Sequence, residues 1–349
     1  MSILKDLSKN ATVVKARAMY RNRLKYEHYK ELLNKKNVSE VAEYLKKSTH
    51  YSEILQNINT DTIHRGFLED LIKKNFYQKY EKITKFQLLH KEGFYKYLVK
   101  LGEIREILTA IMLLNAGLNE DHISTIPSYL IDKSNFDLLE LAKIKSFDEL
   151  LLVIKNTSYY DIVKNAEIIN EKIDFVSCEV LLRTHYIKWL LEAVKKDFDK
   201  KNRNILLRQI HVQIDLINLI NSYRMKKYFN STADEIQKKM LPFYGRISLK
   251  KQRELYESQD IEEFLELLNK TVYGPQLSIF KQNVYFEWKL NKLRYRLAKR
   301  SLMFSENPAV SIYSLLYLFE MEVENIVNII EGIRYKKEVS YIENLLVYD

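Results

Sequence analysis

Seven glycines and four prolines are all that interrupt 349 residues. Glycine loosens the backbone and proline removes a hydrogen-bond donor, so few points in this chain force a turn or break a helix. A many-stranded sheet would need a turn about every 8–12 residues. The scarcity therefore predicts an all-α fold built from long helices. Hydrophobic spacing points the same way: Leu290, Leu293 and Leu297 fall at helical intervals, as do Ile326, Ile329, Ile330 and Ile333. Breaks are expected at Gly117 followed by Asn119, at Pro127 and Pro242, at Gly274-Pro275 and at Asn307-Pro308. No low-complexity linker divides the chain into independent pieces.

Short patterns recur along the chain at a long period. Thr-x-Tyr occurs as Thr49–Tyr51, Thr157–Tyr159 and Thr271–Tyr273, with an acid nine positions earlier at Glu40, Asp148 and Glu262. The threonines are 108 and 114 residues apart. A second element, an acid followed three residues later by a polar partner, reads Glu103–Glu106, Asp215–Asn218 and Glu322–Asn325. Pro127 and Pro242 precede the second and third Thr-x-Tyr by 30 and 29 residues. Three elements in one order at a spacing of about 110 residues imply an internal triplicate, too long for tetratricopeptide or HEAT units. Each unit must be a group of several helices, and units are expected near residues 1–118, 119–234 and 235–349.

Chemistry leaves little trace. No two of the seven histidines lie within ten residues, so a helix-borne zinc pair is absent, and one cysteine, Cys178, excludes Cys-x-x-Cys sites. No glycine-rich phosphate loop and no Gly-x-Ser-x-Gly elbow occurs. No catalytic residue, cofactor or metal is expected. The single cysteine also rules out an intramolecular disulfide and suits a reducing compartment. Lys15 and Arg17 stand where a signal peptide would be apolar, and the longest uncharged runs, Ile107–Leu118 and Asn307–Phe319, are well short of the roughly 20 residues a span requires. Membrane contact would be peripheral.

The net charge of +10 permits an acidic or anionic partner without choosing one. Lys281–Arg300 carries seven basic residues and one acid, Glu287. Lys289, Lys292, Arg296, Lys299 and Arg300 share one helical face, opposite Phe286, Leu290, Leu293 and Leu297. This stretch is either a solvated surface helix or a contact for an acidic protein or lipid head groups. Near the start, Arg17 and Arg21 share a face while Tyr20 and Leu24 are expected to pack inward. The acid-x-x-polar pairs share a helix face too. Either they hold one helix group to the next, or they line a recess that receives a partner.

The repeat elements also look familiar. Lys15-Ala-Arg-Ala-Met-Tyr-Arg21 resembles the N-terminal signature of the C subunits of archaeal and bacterial A/V-type ATPases, related to the d subunit of V-ATPases in the AC39 family. The Thr-x-Tyr copies, Asp215–Leu219 with Arg224, and Glu322–Asn325 running to Arg334 resemble that family as well, although Glu106 stands where the other copies carry Asn. The resemblance implies three similar helical bundles forming a pseudo-three-fold funnel on the membrane rotor ring. It implies a non-catalytic central-stalk protein at the cytoplasmic face, joining the D and F subunits of the shaft to the ring proteolipid (c/K). ATP hydrolysis or synthesis elsewhere would thereby be linked to H+ or Na+ transport, with no nucleic acid involved. Asp215, Asn218, Arg224, Glu322, Asn325 and Arg334 would line the recess for the shaft, and Lys289, Lys292, Arg296 and Arg300 would meet an acidic partner. The reading to set against this is an unrelated helical scaffold or adaptor that binds nucleic acid or acidic proteins.

Overall fold

The computed structural model describes residues 2–85, 93–118, 122–123, 126–169, 172–279 and 285–349, with side chains from residue 10 onward. Asn119 and Lys281 lie outside the described residues. The fold is all-α. Among the described residues the one sheet is a two-residue antiparallel pair, β1 (Ile168–Ile169) with β2 (Lys172–Ile173), Ile168 opposite Ile173.

The chain opens with α1 (Ser2–Arg21), α2 (Tyr26–Leu33), α3 (Val38–Ser48), α4 (Ser52–Leu55) and α5 (Arg65–Lys85). Then come α6 (Tyr97–Ala116), α7 (Leu138–Leu141), α8 (Phe147–Ile154), α9 (Tyr160–Lys164), α10 (Phe175–Asp197), α11 (Lys200–Phe229), α12 (Ala233–Lys238), α13 (Leu249–Glu257) and α14 (Ile261–Asn269). The last helices are α15 (Gly274–Leu277), α16 (Phe286–Phe304), α17 (Pro308–Arg334) and α18 (Val339–Glu343). These elements form two compact units. One joins Met1–Leu89 to Leu265–Asp349; the other is His90–Phe264.

In the first unit α17 is the axis. Asn307 caps its start, the side-chain oxygen accepting from the amides of Ala309 (2.9 Å) and Val310 (3.3 Å), and Pro308 takes the first helical position, where its missing donor costs nothing. The expected break at Asn307-Pro308 is thus a helix start. Buried side chains surround α17 on nearly all sides, Ile312, Leu315, Ile326, Ile329 and Ile330 among them, and a helix apolar all round must be enclosed. Helices α1, α3, α5, α16 and α18 pack on it. From α1, Val13, Ala16 and Tyr20 face inward at intervals of three and four, and Leu24 follows them into the core. Each such fully buried aliphatic or aromatic side chain contributes about 1.5–3 kcal/mol.

In the second unit, α10 buries Cys178, Leu182, Tyr186, Leu190 and Val194, one residue every four, against its neighbours α6, α9 and α11. Helix α6 ends at Gly117, whose φ of +69° is the left-handed conformation that glycine enters without penalty. The amides of Gly117 and Leu118 turn back to the carbonyls of Leu114 and Leu113 at 3.1 and 2.9 Å, so the final turn is satisfied. Asn230, at φ 48°, ends α11 in the same way. No helix among the described residues is long and apolar enough to cross a membrane.

Candidate functional site

Each Thr-x-Tyr copy has the same local structure. The threonine hydroxyl donates to a carbonyl in the last turn of the preceding helix: Thr49 to Leu45 at 2.6 Å, Thr157 to Ile154 at 2.7 Å, Thr271 to Leu268 at 2.7 Å. The same oxygen accepts from the tyrosine amide two residues on, at 3.2 Å in every copy. The threonine therefore closes the helix and turns the tyrosine inward, and Tyr51, Tyr159 and Tyr273 are all fully buried.

Starts of these helices are equally alike. Asn37, Ser146 and Asp260 accept from the amides of Glu40, Glu149 and Glu263, whose carboxylates accept in return from the amides of Lys36, Lys145 and Gln259 at 2.9, 2.6 and 2.6 Å. This is a reciprocal capping arrangement. The acids nine positions before the second and third threonines, Asp148 and Glu262, do not take this part. Those acids sit one position too early in the helix to reach back, and Glu149 and Glu263, eight residues before the threonine, perform the role of Glu40.

Two acids of the second repeated element, Glu103 and Glu322, accept from the tyrosines that the first turns inward. Glu103, fully buried, accepts from the Asn135 amide (2.6 Å) and side chain (2.8 Å) and from the Tyr159 hydroxyl (2.7 Å). Asp215, 1% exposed, accepts from three consecutive amides, Gly245, Arg246 and Ile247, at 2.9, 2.7 and 3.3 Å. Glycine is required at 245, because a Cβ there would come within 2.6 Å of the His211 carbonyl and 2.8 Å of the Asp215 carboxylate. Glu322 accepts from the Leu24 amide (2.6 Å) and the Tyr51 hydroxyl (3.0 Å). The amides answering these acids, Leu24, Asn135 and Arg246, are spaced by 111 residues both times.

The polar partner three residues on has its own task. Asn218 donates to the Leu241 carbonyl (2.9 Å) and accepts from the Leu241 amide (3.0 Å). Asn325 does both with Val347, each at 2.8 Å. One side-chain amide thus imitates a strand neighbour for a single buried residue. Glu106 cannot donate as asparagine does, and it lies instead 3.6 Å from His122 Nε2.

Glu322 has the richest surroundings. His50 Nε2 is 3.1 Å from its carboxylate and 2.5 Å from Lys79 Nζ, which is itself 4.0 Å from the carboxylate. Burial pushes the Glu322 carboxyl upward, but the hydrogen bond and charge of His50, the Lys79 charge and the Leu24 amide outweigh it and hold the group down at about 2. Lys79 is depressed to about 8, by burial chiefly, against the pull of Glu322. Cys178 is buried, and burial lifts its thiol to about 11, which leaves it unreactive. No group of three or more His, Cys, Asp or Glu among the described residues could hold a metal ion.

The ten residues singled out from the sequence fall into two classes. Asp215, Asn218, Glu322 and Asn325 are buried, and their polar atoms are taken up by groups of the chain itself. Arg224 and Arg334 are exposed, the latter beside Glu331 at 3.8 Å and over the Tyr335 ring. Lys289 and Lys292 are half-buried and Arg296 and Arg300 exposed on α16, whose Leu290, Leu293, Tyr295, Ala298 and Leu302 face the core. Lys292, Arg296, Lys299 and Arg300 line one wall of a cleft of about 410 Å³. Arg17 has a different role from Arg21 beside it. Its guanidinium donates to the carbonyls of Leu302 (3.1 Å) and Ser305 (3.0 Å), a cation on the C-terminal end of α16.

Helices joined by thrice-repeated buried polar nodes, with the cations left on the surface, define an all-helical repeat scaffold. The chain belongs to the ATP synthase (C/AC39) subunit family, which it matches over residues 12–345. It is 25% identical over 270 residues to the A-type ATP synthase C subunit of Methanosarcina acetivorans, covering 76% of this chain and 71% of that one. The C subunit of the Methanosarcina mazei A-type ATP synthase is 25% identical over 273 residues, with the same coverage of each chain. That of Methanosarcina barkeri is 25% identical over 286 residues, covering 78% and 74%.

Proposed function

We propose that this chain is a non-catalytic rotor component of an A/V-type ATPase, joining the D/F shaft to the proteolipid ring at the cytoplasmic membrane face. Torque passing through it would link ATP hydrolysis or synthesis to H+ or Na+ movement. The observation that carries the reading is the family match over residues 12–345, which takes in every repeated element. The triplicate nodes support the arrangement proposed with it, three similar helical bundles about a pseudo-three-fold axis.

A torque adaptor needs stiffness before it needs chemistry. A helix end that is merely capped can hinge on the next loop. Here the loop amides at Leu24, Asn135 and Arg246 are clamped by buried carboxylates, which resists such hinging. Asp215, Asn218, Glu322 and Asn325 then serve the partner indirectly, by holding the surface that meets it in one shape. Arg224 and Arg334 are proposed to line the recess for the shaft, and Lys289, Lys292, Arg296 and Arg300 to touch an acidic partner.

The test is a pulldown of the tagged chain from its native membranes, with mass spectrometry of what accompanies it. The D and F proteins of the shaft together with the ring proteolipid are the expected companions. Nucleic acid or unrelated soluble proteins, without ATPase components, would refute the assignment.

A further inference from the structure

The cleft on α16 already holds a carboxylate. Asp349 accepts from Lys299 Nζ at 2.6 Å, from the Arg23 guanidinium, and from the Tyr20 hydroxyl at 3.4 Å. Burial raises this carboxyl, and the hydrogen bonds from Lys299 and Arg23 more than reverse that, leaving it below its ordinary value. The segment before it is firmly placed. Trp288 Nε1 donates to the Leu346 carbonyl at 2.8 Å, Asn325 holds both backbone groups of Val347, and the Tyr348 ring stacks on Tyr29 with centroids 5.0 Å apart. The Asp349 side chain, 31% exposed, rests on contacts that solvent can reach.

Four cations line the cleft against that one acid. Lys299 is engaged by it, while Arg296 and Arg300 stand exposed on the open side. Beyond them the cleft ends in Met303 and Phe304, the latter 79% exposed, the most exposed large apolar side chain among the described residues. Cations at intervals of three and four along one face, closed by an apolar ring, complement a segment that alternates carboxylates with an apolar side chain.

We infer that this cleft is a receptor for an acidic peptide segment of a protein partner, and that Asp349 is its built-in competitor. The carboxylate that the cleft binds within the chain is the same chemistry it binds from outside. Arg296 and Arg300 receive the first partner acids, Phe304 covers the apolar residue between them, and release of Asp349 frees Lys299 and Arg23 for a further one. The inference deepens the acidic-partner contact proposed above, but it concerns the isolated chain and can fail while the rotor assignment stands.

The test is fluorescence anisotropy of a short labelled peptide alternating Glu and Leu, titrated with the whole protein at low and moderate salt. Asp349→Ala should tighten binding by about three- to ten-fold, because the competing occupant is gone. Arg296→Glu with Arg300→Glu should weaken it at least about ten-fold, while Lys155→Glu, an exposed reversal in the other unit, should leave it unchanged. Circular dichroism of each variant establishes that the fold is kept. Equal binding by wild type and Asp349→Ala, or no peptide binding by either, overturns the inference. So does capture of phosphatidylglycerol vesicles in place of the peptide with the same loss on charge reversal, which would make the cleft a membrane contact.

Discussion

Replacing Asp215 by alanine removes one carboxylate and strands three amides. Those of Gly245, Arg246 and Ile247 all point at it, and the site is 1% exposed, so bulk water does not reach them in the folded unit. A buried donor left unsatisfied costs about 1–3 kcal/mol, and bonds to a charged acceptor lie at the upper end. Three in a row share one loop and relax together, so a total of about 4 kcal/mol is expected rather than the full sum. With a urea dependence of about 3 kcal/mol per molar, the unfolding midpoint should fall by about 1.3 M. The two tryptophans, Trp189 in one unit and Trp288 in the other, make a clean assay possible. In a Trp288→Phe background the remaining fluorescence reports the unit that contains Asp215. A loss below about 1 kcal/mol would refute the argument that this carboxylate is the anchor of its loop. Lost shaft binding at unchanged stability would instead restore the recess reading.

Further outcomes follow from the same geometry. Gly245→Ala forces a Cβ to within 2.6 Å of a backbone carbonyl, and should cost about 2–3 kcal/mol in the same urea assay. Glu322 is held at about 2 against an ordinary 4.5, so its stabilisation is complete above pH 4.5 and drains away as pH falls toward 2. Glu322→Gln should be less stable at pH 7 and lack that acid-side loss, as urea midpoints measured from pH 7 to about 3 would reveal. Asn325→Leu leaves the Val347 amide and carbonyl without their partner and should cost about 3 kcal/mol; it should also red-shift Trp288 emission as the Leu346 carbonyl withdraws.

Residues with chemically distinctive side chains were legible in advance. Thr-x-Tyr is visible because a hydroxyl is needed to end the helix and, at Tyr51 and Tyr159, a phenol to reach a buried acid. Asp215–Asn218 and Glu322–Asn325 are visible for a similar reason. What those acids bind was hidden, because Leu24, Asn135 and Arg246 contribute a backbone amide, and any residue type but proline carries one. At the helix starts the nine-residue spacing picks out Asp148 and Glu262, one position before the acids that cap, because the intervening segment is one residue shorter in those copies. Arg17 and Arg21 look alike in sequence. Only the fold reveals that the first lies on the final carbonyls of α16. Asp349 as an occupant of the basic face was equally out of reach, because no local pattern links residues 299 and 349.

The bond from the Leu24 amide to Glu322 spans 298 residues of chain. On a ribosome adding about 5–20 residues per second, the helices before Leu24 and just after it would wait roughly 15–60 s until their partner helix emerges. Residues 90–264, continuous in sequence, can fold during that interval. Until α17 arrives, Tyr20, Leu24 and Tyr51 have no interior to enter. A nascent chain of this design therefore exposes these apolar side chains until α17 is made, and a stop codon ahead of α17 would leave α1 to α5 without the interior that covers them.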